Sequence, residues 1–199
     1  VTLIGRAPHV VAIRRDGLQL RWATDVESVR VAATTELAAV READLVLVCV
    51  KSADSNAVAR QIAPLLRADA IVLSLQNSVD NADAIARHVR QPVLPAVVYV
   101  AVGMTAPGVV AHHGRGDLVI GARDAAAAND AVLAARMQVI VDLFAAAKVP
   151  VRISADVVGE LWSKLLVNCA YNAISALSQL PYGHFAALPE VRTMQQAVV

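Results

Sequence analysis

The chain has 199 residues, 57% of them hydrophobic, and 18 Lys+Arg against 17 Asp+Glu give a formal net charge of +1. That length bounds it to one or two domains with a sizeable core, and the near-neutral balance argues against a nucleic-acid binder working through a broad basic surface. No run approaches the roughly 18 uninterrupted apolar residues of a membrane span.

In chain order, "VTLI" reads as a short buried strand and "APHVVAIRRDG" as a helix closed by Gly17. "LQLRW" and "SVRVA" alternate and predict a strand pair around "ATDVE". "TTELAAVREA" predicts a short helix, and the near-continuous apolar run "DLVLVCVK" a central parallel strand. A helix over "SADSNAVARQIAPLL", a strand over "AIVLSLQN", a helix over "DNADAIARHVR" and a strand over "VLPAVVYVAV" follow. "PGVVAHHGRGDLVIGA" then predicts two strands around a Gly-rich turn, an antiparallel addition to the sheet. "AAAANDAVLAARMQVIVDLFAAAK" reads as one long helix and "VRIS" as a last edge strand. From Ala155 no strand pattern remains: "ADVVGELWSKLLVNCAYNAISALSQ" is one long helix, with shorter helices after Pro181.

Strands alternating with helices predict an α/β fold, a Rossmann-like and mostly parallel sheet, followed by the start of an all-helical domain. The boundary falls between residues 153 and 154, giving domains 1–153 and 154–199. "VTLI" begins mid-strand and "PEVRTMQQAVV" stops inside a helical pattern, so the sheet is expected to be incomplete N-terminally and the helical domain truncated. Cys49 and Cys169 lie in apolar segments and are expected as buried free thiols. No Cys/His spacing suits zinc, and no metal site is expected.

Parallel sheets bind ligands beyond the carboxyl ends of their strands. Arg6, Lys51 and Asn77 each follow an expected strand. In the helical part, "SKLLVNCAYNAIS" spaces Lys164, Asn168 and Asn172 four residues apart. At helical pitch these fall within an arc of roughly 80°. One ammonium and two carboxamides on one stripe could grip a small polar ligand, or be the wet side of an amphipathic helix. Glu160 precedes Lys164 by four residues and reads equally as its ion-pair partner or as its orienting group. Trp162 is expected to pack, and Ser175 lies near the Asn172 face without an assigned role.

The pieces "VTLIGR", "ADLVLVCVKS", "LSLQN", "APGVVAHHGRGDLVIG" and "ELWSKLLVNCAYNAISAL" together resemble the ketopantoate reductase family. They occur in family order over essentially the whole chain. The resemblance implies an NADPH-binding Rossmann domain, a helical domain and a cleft between them where 2-dehydropantoate is reduced to pantoate. It maps the 2′-phosphate contact to Arg6 and places Lys51 and Asn77 near cofactor and substrate. Val102 joins the cofactor-binding set. It maps the general acid to Lys164 and the substrate-holding pair to Asn168 and Asn172. A lysine suits proton donation to the developing alkoxide. An arginine after this strand suits a phosphate, where an acidic residue would favour NAD. The implied partner is a small 2-oxo acid, with neither nucleic acid nor membrane, and a homodimer through the helical domain is open. The expected location is cytoplasmic.

The sequence departs from the family in three places. No Gly-x-Gly-x-x-Gly occurs, and that loop, with the first strand and first helix, is expected upstream of Val1. In "QNSVDN", Ser78 and Asp80 stand where the family has glycines, so a positive φ there would be strained, and Asp80 could instead cap the next helix. Tyr182 stands where the family has another substrate-contacting Asn. These departures keep two alternatives in view: a reductase of another 2-oxo acid, and a catalytically silent NADP-binding homologue.

Overall fold

The computed structural model describes residues 1–198. The first half of the chain holds β1 (Thr2–Ile4), α1 (Ala7–Asp16), β2 (Leu18–Arg21), β3 (Val26–Val29), β4 (Ala32–Thr34), β5 (Leu45–Val48), α2 (Ser55–Ile62), β6 (Ile71–Ser74) and α3 (Asn81–Ala86). The second half holds β7 (Val93–Ala106), β8 (Val109–Gly121), α4 (Ala125–Ala128), α5 (Ala131–Ala146), β9 (Val151–Ser154), α6 (Val157–Ser178), α7 (Tyr182–Phe185) and α8 (Pro189–Val198). Seven strands form one sheet in the order β3-β2-β8-β7-β6-β5, with β9 also on β8, and β1 pairs separately with β4. Among the described residues only β2–β3 and β7–β8 are antiparallel. Among the described residues no helix is long and apolar enough to cross a membrane.

The centre of the sheet follows from strand periodicity. Every residue of β6 is buried. Val72 faces α2 and α3 among Ala59, Ile62 and Ile85, while Ile71 and Leu73 face Leu133, Met137 and Ile140 of α5. Helices therefore cover both faces of β6, which explains the apolar run Ile71–Leu73. Each fully buried Ile or Leu there contributes about 1.5–3 kcal/mol.

Several elements differ from the sequence reading. "VTLI" is not buried: β1 has one short partner, only its Leu3 face is covered, by Val10, Ile13 and Ala33, and Ile4 is exposed. "TTELAAVREA" forms a 3-10 turn over Leu37–Glu42. The turn between β7 and β8 is at Pro107–Gly108, where Gly108 has φ 72, and not in the Gly-rich stretch. Gly114, Arg115 and Gly116 have φ of 144, 55 and 155. The ladder absorbs them as bulges, its register slipping between Tyr99 and Val100 and between Ala101 and Val102. The long helix breaks into α4 and α5 because Asp130 caps α5, its Oδ1 accepting from Val132 N at 2.9 Å and Leu133 N at 3.0 Å. Both cysteines are exposed: Cys49 follows an edge strand, and Cys169 lies on a cavity-facing side of α6.

The placement of α6 matters most for function. Asp156 caps its start, Oδ1 accepting from Gly159 N at 2.8 Å. Val157 and Leu161 then pack on Val97 of β7 and Val119 of β8. Gly121, the last residue of β8, permits this approach, since a Cβ there would lie 2.7 Å from Ser154 O and 2.8 Å from Val157 Cβ. Lys164 is thereby carried, one turn past Leu161, to the carboxyl ends of the parallel strands.

Candidate functional site

The strand ends are built first. β5 and β6 run in parallel with Val48 opposite Ser74, so the loops that follow them emerge side by side. Four buried polar side chains, Ser55, Ser74, Gln76 and Asn81, tie these loops together. Gln76 Nε2 donates to Val50 O at 2.8 Å and Ser55 Oγ at 2.7 Å, and its Oε1 accepts from Ser74 Oγ at 3.1 Å. Ser55 Oγ donates to Asn81 Oδ1 at 3.0 Å. Asn81 Nδ2 donates to Ser52 Oγ at 3.0 Å and Asn77 O at 3.1 Å, and Ser52 Oγ donates to the same Asn77 carbonyl at 3.2 Å. These buried groups are mutually satisfied, the condition under which a buried polar network rigidifies its surroundings.

On this base sits Lys164. Its Nζ donates to Asn77 Oδ1 at 2.9 Å and to Val98 O at 2.5 Å, and lies 5.7 Å from the Tyr99 ring centroid. The expected Glu160 partnership is not formed. Glu160 instead pairs with Arg152 of β9, one bond being Nη1 to Oε1 at 2.9 Å, because the short step from β9 to α6 puts the guanidinium within reach. Lys164 thus has neutral hydrogen-bond acceptors, and burial lowers its pKa below the ordinary lysine value. Asn77, Ser78, Lys164, Asn168, Cys169 and Asn172 line a cavity of about 410 Å³ between the β6 loop and α6.

The structure therefore brings together Asn77, Lys164, Asn168 and Asn172. Asn172 does not stand free: Tyr182 of α7 donates its hydroxyl to Asn172 Oδ1, and its ring lies tilted against that of Tyr171, 5.3 Å between centroids. Ser175 closes the end of α6, donating to Leu180 O at 2.7 Å. Trp162, expected to pack, is 53% exposed. Arg6, Lys51 and Val102 are exposed and do not line this cavity. Arg6 is the N-cap residue of α1, Lys51 precedes the 3-10 turn Ser52–Asp54, and Val102 lies opposite His112 on the hairpin.

Ser78 does adopt the anticipated positive φ, at 144°. Asp80 occupies the N-cap position of α3 but caps nothing with its side chain; its Oδ1 instead accepts from Ser78 Oγ. A non-glycine residue in this backbone region costs of order 1–3 kcal/mol. Ser78→Gly is therefore expected to stabilise the protein by about 1 kcal/mol and raise Tm by roughly 2–4 °C in calorimetry. An unchanged or lower Tm would mean that the Ser78–Asp80 bond offsets the strain.

Sequence reasoning passed over Ser52, Ser55, Gln76, Asn81 and Tyr99. One signal was present: Ser55 stands at helical spacing from Ala59 and Ile62, a lone polar residue on the inward face of α2.

A parallel-rich sheet whose strand-end loops face a half-buried lysine on an abutting helix defines a Rossmann-like scaffold with a small-ligand cleft. Residues 1–125 match the profile of ketopantoate reductase PanE/ApbA, and residues 156–199 that of its C-terminal region. The chain belongs to the ketopantoate reductase PanE/ApbA family. It is 34% identical over 202 residues to a 2-dehydropantoate 2-reductase of Halobacterium salinarum, with 100% of this chain and 64% of that protein aligned. The 2-dehydropantoate 2-reductase of Pyrococcus horikoshii is 30% identical, with 92% of this chain and 58% of that protein covered. The crystal structure of a PanE/ApbA family ketopantoate reductase from Ralstonia eutropha JMP134 superposes with a TM-score of 0.85 at 46% identity, covering 98% of this chain and 62% of that one. D-mandelate dehydrogenase, solved with NADH and anilino(oxo)acetate, shares the fold at a TM-score of 0.86 and 20% identity, over 98% of this chain and 62% of its own. The chain thus spans about three-fifths of the length of the curated relatives it matches.

Proposed function

We propose that this chain is part of an NADPH-dependent reductase of 2-dehydropantoate, with Lys164 as proton donor. In this reading residues 1–153 carry the nucleotide and residues 154–199 begin the substrate-holding helices. The observation that carries it is the Lys164 ammonium. It has three N–H donors; two are directed at Asn77 Oδ1 and Val98 O, and the third is left for a ligand in the cavity. Reduction of a 2-oxo acid places negative charge on the C2 oxygen. A preorganised ammonium in a partly dry site stabilises that charge and supplies the proton. Asn168 makes no side-chain hydrogen bond among the described residues and lines the same cavity. It can hold a hydroxyl or carboxylate without adding charge.

The residues present fit a phosphorylated nicotinamide cofactor. Arg6 stands exposed at the start of α1, a helix with no acidic residue in its first turn, which suits a phosphate. Lys51 adds a second exposed cation beyond β5. When bound, the cofactor supplies the hydride. Arg6→Ala is expected to raise the KM for NADPH about 10- to 100-fold, the value of a charge-assisted hydrogen bond, and to leave NADH nearly unaffected. Equal losses for the two cofactors would make Arg6 a structural residue.

The reaction itself is tested on the full-length protein by following NADPH absorbance with a panel of 2-oxo acids. Preferred turnover of 2-dehydropantoate supports the reading, and preferred turnover of another acid changes the substrate. Nucleotide binding without turnover would favour a silent homologue, the second reading. The strained Ser78 and the adjoining Asp80 carboxylate at the cavity rim support that alternative.

A further inference from the structure

We propose that Asn81, together with Ser52 and Ser55, is a positioning brace for the lysine: it fixes the Asn77 peptide so that the Asn77 carboxamide meets the Lys164 amine. The inference rests on the proposed role of Lys164 and goes beyond it, since none of the three residues lines the cavity.

The geometry points one way along a chain of bonds. Asn77 is an exposed loop residue, and such a residue ordinarily has freedom to turn. Here its carbonyl takes two donors, Asn81 Nδ2 at 3.1 Å and Ser52 Oγ at 3.2 Å. Asn81 is itself 4% exposed and held by the Ser55 hydroxyl at 3.0 Å. Ser55 is 1% exposed and is gripped in turn by Gln76 at 2.7 Å. With the Asn77 peptide fixed from beneath, its carboxamide starts from a set position and meets Lys164 Nζ at 2.9 Å. The orientation of the Asn81 amide is dictated by its neighbours. Its nitrogen faces a carbonyl, which only a donor can satisfy, and its oxygen faces a hydroxyl. An Asp at this position would set a carboxylate against the Asn77 carbonyl, so shape alone does not suffice.

Such a brace acts on chemistry through placement. A shift of about 1 Å in a catalytic group can cost on the order of a hundredfold in rate. The charged and titratable groups around Lys164 are few. Tyr99 of β7 lies beside it, with Arg115 of β8 stacked 4.4 Å from that ring, and Glu160 of its own helix is engaged by Arg152. Cys169 of α6 shares the cavity lining, and Asp80, bonded to Ser78 at its rim, completes the set. Of these groups Asp80 adjoins Asn81 in the chain, and the Asn77→Ala background separates that route to Lys164 from the one through Asn77.

The test is a double-mutant cycle on full-length enzyme with NADPH and its 2-oxo acid. Asn81→Ala is expected to lower kcat about tenfold or more. The Asn77→Ala/Asn81→Ala double variant should be no slower than Asn77→Ala alone, because the brace has nothing left to place. The alkaline limb of the kcat profile should move to higher pH in Asn81→Ala, as a released lysine returns to water; a merely structural loss of stability would not move it. If Asn81→Ala does not fold, Ser52→Ala removes one of the two donors from an exposed position and is expected to lower kcat about threefold, again without adding to Asn77→Ala. Effects that multiply in either cycle, or kcat within twofold of wild type for a folded Asn81→Ala, would overturn the brace. Lys164→Ala run alongside keeps the two readings apart: near-normal kcat there overturns the proton donor, whereas multiplying effects in the cycle overturn the brace.

Discussion

Lys164→Ala is expected to lower kcat at least about a hundredfold, the low end of what a positioned general acid contributes. The variant should remain folded. Lys164 is half-buried and bonded to two neutral acceptors, so its ammonium pays a desolvation penalty that alanine does not. The pH dependence follows from the same burial. The folded pKa lies below the ordinary lysine value, and the proton donor is the charged form. Activity should therefore be full below that lowered pKa and fall as pH rises through it. Stability moves the other way. Between the lowered folded pKa and the ordinary value, the unfolded chain holds the proton and the folded chain does not, so stability rises with pH across that window. Stopped-flow single turnovers across pH, beside denaturant melts of the same samples, would show both trends. A pH-independent kcat through the alkaline range, or a Lys164→Ala enzyme of near-normal rate, would remove the lysine from the chemistry.

Gly121→Ala is expected to damage both stability and the site. The added Cβ would meet backbone at 2.7 Å and the Val157 side chain at 2.8 Å and 2.9 Å. Neither neighbour is the loose end of a flexible chain: Ser154 O belongs to β9, and Val157 is 1% exposed in the first turn of α6. Overpacking of this kind costs about 1–3 kcal/mol, and Tm should drop by several degrees. The movement that relieves the clash pushes α6 away from the sheet, and with it Lys164 from Asn77. Loss of kcat beyond what the unfolded fraction explains is the second expected readout. An unchanged Tm would mean that the β9–α6 corner is softer than its packing implies.

Much of the fold was legible because its centre is regular. Every residue of β6 is buried and Ile71–Leu73 are apolar in succession, the pattern of a short strand covered on both faces. What escaped was decided by tertiary neighbours. The Gly114–Gly116 segment has the composition of a turn, yet β7 continues alongside it, and the ladder tolerates the extra residues as bulges. Asp130 could have stayed in a helix by propensity, but its carboxylate takes two backbone donors and breaks the run. In the site, the stripe of Lys164, Asn168 and Asn172 could be read from spacing alone. The partner of the lysine could not: Glu160, four residues away on the same helix, lost to Arg152, and Asn77, 87 residues distant, took its place. Asn172 was legible as a face but not as the acceptor of Tyr182.

Because one amine spans α6, the β6 loop and β7, proton affinity and cleft width are a single coordinate. An outward tilt of the helix would break both of its bonds and rehydrate the nitrogen, which would then hold its proton as firmly as a free amine. A return to the packed position would loosen that grip, so in the proposed reaction the amine would be the readier proton donor when α6 lies against the sheet.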